Sequence, residues 1–222
     1  MGYDFDWSLI LRILPRFQDA IWLTVKLYLC AQLLSIALAF SMAVAGNIWA
    51  SRPLGRVLGF YSWLFRGLPE LIVLLFCFLA LPDLGLRLSS FQSAMIGLAL
   101  VASAYEYEIL RGALTSIPAQ QYEASRALGF PPGKMWRRII GPQLMRVALP
   151  SLLTFACTSL KRTSVASAVA VTEIMGMSRR LIDALQKPFE LMAIAMVLYA
   201  VLSSIIMIAE VLARRRLALK SE

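Results

Sequence analysis

Five long apolar runs separated by short polar stretches limit what this chain can become. They cover about Ala20 to Gly46, Val57 to Leu81, Phe91 to Tyr105, Met145 to Leu160 and Leu191 to Ala209. Each approaches the length a helix needs to cross about 30 Å of hydrocarbon. A water-facing globule is excluded: 59% of the 222 residues are hydrophobic and 16% charged, too little polar surface to cover one. The sequence therefore predicts an all-α integral membrane protein with five transmembrane helices, organised as a single domain over 1–222. The third helix should continue to Arg111 and the fifth to Leu212, and Pro150 lies inside the fourth. The second is unusual, because Arg66-Gly67-Leu68-Pro69-Glu70 falls within it.

The net charge of +9 raises the question of nucleic acid, but its distribution answers it. Lys and Arg gather beside the spans, as cytoplasmic loops require. With the N-terminus outside, the inner side receives Ser51 to Arg56, the loop from Gly112 to Arg146, and a tail with Arg214, Arg215, Arg216 and Lys220. The stretch from Lys161 to Pro188 conflicts with this topology. It carries five basic residues, balanced in part by Glu173, Asp183 and Glu190, and part of it is expected to re-enter the protein interior. The first twenty residues lack a basic head followed by an apolar block, so the first span is expected to remain in the mature protein. Histidine is absent, which removes the commonest metal ligand and general base. Cys30, Cys77 and Cys157 are isolated in apolar runs and read as small buried hydrophobes.

The large basic loop holds a short polar helix-turn-helix pattern over 116–142. Ser116 and Pro118 are placed to start a first helix, and Gly129 to end it in a left-handed conformation. Pro131 and Pro132 open a second helix, Gly133 to Ile140, expected to stop before Gly141-Pro142. Ala124 and Ser125 are small enough for close approach by a partner, Glu123 and Arg126 supply charge, and Met135 and Trp136 supply apolar body. Apart from a docking surface, the pattern fits an ordinary solvated hairpin. A DNA-reading helix-turn-helix fails because spans bracket it. Gly129 to Met135 also comes close to a phosphate-cradling loop, but its spacing is one residue short and Met135 cannot coordinate magnesium. This chain is thus expected to bind no ATP, and any ATPase would be a separate subunit.

The loop resembles the Glu-Ala-Ala loop of permease subunits of bacterial ATP-binding-cassette importers. Glu123, Ala124, Gly129, Ile139 and Pro142 hold that spacing without a gap, while Ser125 replaces the second Ala and Gly141 a Leu. Three more stretches are similar to the polar-amino-acid branch, including permeases for histidine, lysine/arginine and opines. They are Arg66-Gly67-Leu68-Pro69-Glu70-Leu71, Glu108-Ile109-Leu110-Arg111-Gly112 and Leu160-Lys161-Arg162-Thr163-Ser164. Departures are Leu110 for Phe, Arg162 where Asp, Asn or a small residue is usual, and Glu106-Tyr107 for small residues. The resemblance spans about 18–215 and implies the type-1, MetI-like importer fold. It further implies pairing with a second permease subunit, identical or paralogous, and two ATPase subunits that grip Glu123, Ala124, Ser125, Gly129, Ile139 and Pro142. A periplasmic substrate-binding protein would deliver substrate, ATP and magnesium would belong to the ATPase, and this chain would carry no cofactor and no catalytic residue. Membrane lipid is a partner and nucleic acid is not.

Charged residues inside spans point to a path or a partner. Arg66 and Glu70, four apart, either pair with each other or line a translocation cavity; Glu108 and Arg111 have the same choice. Lys161, Thr163 and Ser164 fall where the fourth span meets a polar stretch. If they open a helix, its free N–H groups suit a substrate carboxylate; otherwise they cap it and Lys161 snorkels. An ion-coupled secondary amino acid transporter using Glu70 or Glu106 is the rival reading, weakened by the lack of an internal repeat.

Overall fold

The computed structural model describes residues 6–49 and 51–218, and among these residues there is no strand. Ten α-helices follow in order: α1 (Trp7–Ile13), α2 (Gln18–Ile48), α3 (Arg52–Gly67), α4 (Glu70–Leu75), α5 (Ser90–Thr115), α6 (Ala119–Ala127), α7 (Pro132–Met135), α8 (Gly141–Arg162), α9 (Ile174–Leu185) and α10 (Pro188–Ala218). Side-chain caps set several starts. Asp6 accepts from the Leu9 amide at 2.9 Å ahead of α1. Together with the Ser8 hydroxyl, that bond holds the Asp6 carboxyl below its ordinary pKa. Ser89 and Gln92 exchange side-chain bonds to each other's amides at the start of α5, satisfying two donors that the first turn leaves open.

Among the described residues, four stretches are long and apolar enough to cross a membrane: Trp7–Ile48, Ser90–Thr115, Pro132–Val169 and Pro188–Leu212. The second apolar run departs from the expected single helix. It forms α3 and then α4, continued by a wide turn at Phe76–Ala80, and the pair is bent by 104°. Pro69 causes the break, since its ring pushes Leu68 into extended backbone (φ −85°, ψ 140°). Arg66 and Glu70 therefore do not share a helix face.

A second departure lies at Gly141-Pro142, where no helix stops. α7, a π-helical turn over Trp136–Ile140, α8 and a 3-10 turn over Thr163–Val169 form one 38-residue helical run. The Gly141 amide bonds back five residues to Trp136 O. This wider turn shifts the ladder just before the proline, whose missing N–H falls in the first turn of α8.

α5 is the central helix: 67% of its most apolar window is buried, against 22–28% for the other spans. Small residues make this possible. Ser93, Ala94, Gly97, Ala99, Ala102, Ser103 and Ala104 are all buried, allowing neighbouring backbones to approach. A Cβ on Gly97 would sit 3.1 Å from the Leu74 Cα, which fixes how closely α4 lies on α5. Three apolar clusters surround this axis. One joins the ends of α2, α3 and α5 to α7 and α8, one joins α1 and α2 to α9 and α10, and one joins α2, α4 and α5 to residues 166–171.

Part of the stretch from Lys161 to Pro188 packs into the protein, as its charge conflict predicts, while Lys161, Arg179 and Arg180 stay exposed. Ala170 turns the chain at φ 61°, and the Ile174 amide then donates to the Thr24 hydroxyl of α2 at 3.1 Å. Glu173 and Glu190 are both fully buried, and of the two only Glu190 meets a basic residue of this stretch, Lys187 at 3.9 Å. The Glu173 carboxylate caps α9, accepting from Met175 N at 3.0 Å, Gly176 N at 2.8 Å and the Tyr199 hydroxyl.

Candidate functional site: an exposed hairpin and a mid-span pocket

α6 and α7 form the hairpin read from the sequence, with a different start. Ser116 closes α5, its hydroxyl donating to Ala113 O at 2.8 Å, and Pro118 takes the N-cap position of α6. Gly129 has φ +71°. Its amide donates to Arg126 O at 2.9 Å and the Phe130 amide to Ser125 O at 3.0 Å, so the last carbonyls of α6 are satisfied. Glu123, Ala124 and Arg126 are exposed, and so is Leu128 at 72%. Ser125 is not part of that surface. It is 1% exposed and its hydroxyl donates to Gln121 O at 2.5 Å, so of the pair Ala124–Ser125 only Ala124 is open to close approach.

The hairpin is tied firmly to the spans. The Trp136 indole N–H donates to Asn47 Oδ1 at 2.7 Å, and Asn47 Nδ2 donates to the Tyr122 hydroxyl at 3.2 Å. Met135, Trp136 and Ile140 are buried in the same cluster as Leu58, Leu110 and Leu144, with Ile139 half-buried against it. Pro142 is exposed beside them. A force on the exposed turn would therefore reach α2, α5 and α8 together.

The second region lies midway along the spans. Arg162 Nε donates to Glu70 Oε2 at 2.9 Å, joining α8 to α4. The guanidinium also lies 5.5 Å from the ring centroids of both Tyr105 and Phe155, which stack 5.6 Å apart. Tyr28, Gln32, Glu70, Ser159, Arg162 and Thr163 line a cavity of about 20 Å³, room for about one water. Beside it, Gln32 Nε2 donates to the fully buried Glu106. Gln32 Oε1 and Glu106 Oε2 lack a protein partner, an arrangement costly in a dry interior unless a proton, a water or a ligand satisfies them.

A separate charged cluster faces a larger cavity of about 550 Å³ lined by Gly59, Ser62, Trp63, Arg66, Glu108 and Arg111. Glu108 accepts from Arg111 at 2.6 Å and from the Ser62 hydroxyl at 2.7 Å, and Arg66 stands 3.7 Å away. The Glu108–Arg111 pairing was one of the two sequence alternatives. The Arg66–Glu70 pairing is not formed, because the break between α3 and α4 sends each to a different partner.

Of the carboxylate-binding candidates, only Thr163 reaches the small cavity. Lys161 is exposed elsewhere on α8. The Ser164 hydroxyl donates to Lys161 O at 2.8 Å, and the Thr163 amide to Leu160 O and Lys161 O. No helix begins here, so these residues offer no free N–H groups. Gln32 was not singled out from the sequence, and Glu106 only as a departure from the family pattern and as a carboxylate for the rival reading. A lone amide at 32 and an acid at 106, each inside an apolar span, are the signals that mark them.

A kinked, five-run helical membrane fold with an exposed hairpin on its fourth helical run defines the transmembrane component of a binding-protein-dependent transporter. The chain belongs to the family described as binding-protein-dependent transport system inner membrane component, which matches residues 35–218. It is similar to the octopine transport system permease protein OccM of Rhizobium meliloti, at 34% identity over 92% of this chain and 86% of that protein. It is also similar to the arginine ABC transporter permease protein ArtQ of Escherichia coli, at 30% identity over 83% and 87% respectively. The crystal structure of an amino acid ABC transporter with histidines superposes with a TM-score of 0.85 at 24% identity, covering 96% of this chain and all of that one. An inward-facing structure of the MetNI methionine ABC transporter superposes at 0.78 with 18% identity over 96% and 99%. These structures share the fold, and family membership removes the ion-coupled transporter reading.

Proposed function

We propose that this chain is the permease subunit of an ATP-driven importer for a polar amino acid or an amino-acid derivative, in the bacterial inner membrane. The observation that carries the reading is the hairpin of α6 and α7, exposed at Glu123 and Ala124 and locked to three spans through Asn47, Trp136 and Ile140, within a chain of the importer family. The opine and arginine permeases among its relatives support the substrate class. Two permease subunits enclose the path. Two ATPase subunits, which hold the ATP and magnesium, seat on the hairpins, and a periplasmic binding protein delivers substrate. The N-terminus faces the periplasm and the hairpin the cytoplasm, as the loop charges favour.

The mechanism this reading implies is alternating access. Closure of the ATPases displaces the hairpins, and the packed cluster moves α2, α5 and α8 as near-rigid bodies. The cavity beside Glu70 and Arg162 is too small for an amino acid, so passage requires α4 and α8 to part there. Arg162, Glu70, Gln32, Glu106 and Thr163 then offer donors and acceptors to a zwitterion in transit. No bond is made or broken in this chain.

Cysteine crosslinking in membranes containing the whole transporter tests the reading. Ala124→Cys should trap an ATPase subunit from the cytoplasmic side, and the buried Ser125→Cys should not. Labelling of Ala124→Cys only by periplasmic reagents would reject the topology and the coupling role together.

A further inference from the structure

The polar groups that join α8 to α10 serve neither the hairpin nor the pocket. Pro150 sits inside α8 and has no N–H to give to the carbonyl of Arg146, so the helix is weakened one turn along from that residue. Around this point the Arg214 guanidinium reaches over from α10. Its Nη2 donates to Pro150 O at 2.7 Å and to the Thr154 hydroxyl, and its Nε donates to Glu210 Oε1 at 2.8 Å. Thr154 stands 3.1 Å from both Pro150 O and Glu210 Oε1, and its single proton serves one of them at a time. Cys157 Sγ donates to Glu210 Oε2 at 3.0 Å. One Glu210 carboxylate oxygen, the proline carbonyl and the threonine hydroxyl thus converge on one arginine, while Cys157 holds the other carboxylate oxygen.

The position of this cluster gives it meaning. α8 is continuous with the hairpin through the π-helical turn at Trp136–Ile140, and with the pocket through Arg162 and Thr163. Pro150 lies between them, where a rod pushed at one end would flex before moving its other end. We infer that Arg214, Glu210 and Thr154 form a splint that ties the proline-weakened point of α8 to α10, so that displacement of the hairpin reaches the pocket. They are positioning residues for transport, acting through α8. The inference rests on the permease reading above.

The test uses the assembled transporter, with its ATPase and binding protein, in proteoliposomes. ATP hydrolysis and uptake of radiolabelled arginine and histidine are measured side by side. Arg214→Gln should leave basal hydrolysis within about twofold while lowering uptake per ATP by about tenfold. Thr154→Val should act in the same direction and more weakly. Pro150→Ala restores the ladder N–H, so adding it to Arg214→Gln should recover much of the lost coupling. A purely structural role would lower assembly, hydrolysis and uptake in parallel and give no recovery with Pro150→Ala; either result overturns the splint. If Arg214→Gln does not assemble, Thr154→Val alone decides, and unchanged uptake per ATP in that variant rejects the proposal. Absence of ATP-driven uptake of any amino acid by the unaltered transporter would instead overturn the functional reading itself.

Discussion

The hairpin and the mid-span pocket are built in opposite ways. In the hairpin the decisive instructions are local. Pro118 opens α6, Gly129 closes it in a conformation that glycine adopts without strain, and Pro131-Pro132 opens α7. In the pocket the decisive contacts span long stretches of chain: Glu70 to Arg162 and Gln32 to Glu106. Local rules place a surface that a partner can grip, whereas a lipid-enclosed polar site depends on which helices happen to meet. A substitution in the interior should therefore damage the whole fold, and one in the hairpin should act locally.

Gly176→Ala should be the most damaging. A Cβ there would meet Val171 O at 2.1 Å, and backbone cannot move aside as a flexible side chain can. The same turn holds Glu173 against α9 and Tyr199. A loss of about 4 kcal/mol or more is expected, seen as little monodisperse protein after detergent extraction. Normal yield and thermal midpoint would show that the interior tolerates local repair and would weaken the contrast.

Next comes the Glu70–Arg162 pair, with side chains only 16% and 22% exposed. Removing one partner strands the other charge, so Glu70→Gln and Arg162→Gln should each cost about 3 kcal/mol. The double variant should cost clearly less than their sum, with a coupling of about 2 kcal/mol. Thermal unfolding in detergent measures the cycle, and additive losses would show that the pair is not a unit.

What was legible follows the same division. The five apolar runs and the turn at Gly129 could be read because each depends on residues close in sequence, whereas the packing of Met135 and Trp136 against Leu58 and Leu110 could not. Arg66 and Glu70 were read as neighbours because spacing alone suggests one helix, yet Pro69 bends the chain by 104° and separates them. Gly141-Pro142 looked like a stop, but a single wide turn let the helix pass. Ser125 looked like part of a docking surface because its size is visible in the sequence and its direction is not. Lys161, Thr163 and Ser164 could be read as opening a helix or as capping one, since a polar stretch follows the span; in the fold the helical bonding simply continues. Glu106 stood out as a departure, but Gln32 passed unnoticed and the pairing of the two across α2 and α5 was not legible.

The hairpin substitutions should have the smallest effects on stability. Trp136→Phe keeps the apolar bulk and removes the N–H that reaches Asn47 Oδ1 at 2.7 Å. Its cost should be about 1.5 kcal/mol, because Asn47 loses a partner in a half-buried position. Gly129→Ala should cost about 1 kcal/mol, since φ +71° strains alanine although nothing lies within 4 Å of the added carbon. The contrast with Gly176 is the sharpest form of the comparison, because of two glycine-to-alanine changes one is limited by its surroundings and the other by its own backbone conformation. Gly129→Ala protein should extract and melt almost normally, yet hold the ATPase less tightly, because the turn that presents Glu123 and Ala124 is strained. Co-purification of the ATPase against the thermal midpoint separates the two effects. A hairpin variant that lowered the midpoint as far as Gly176→Ala would mean that the turn at Gly129 carries the fold, and that the exposed surface is not a separate module laid over it.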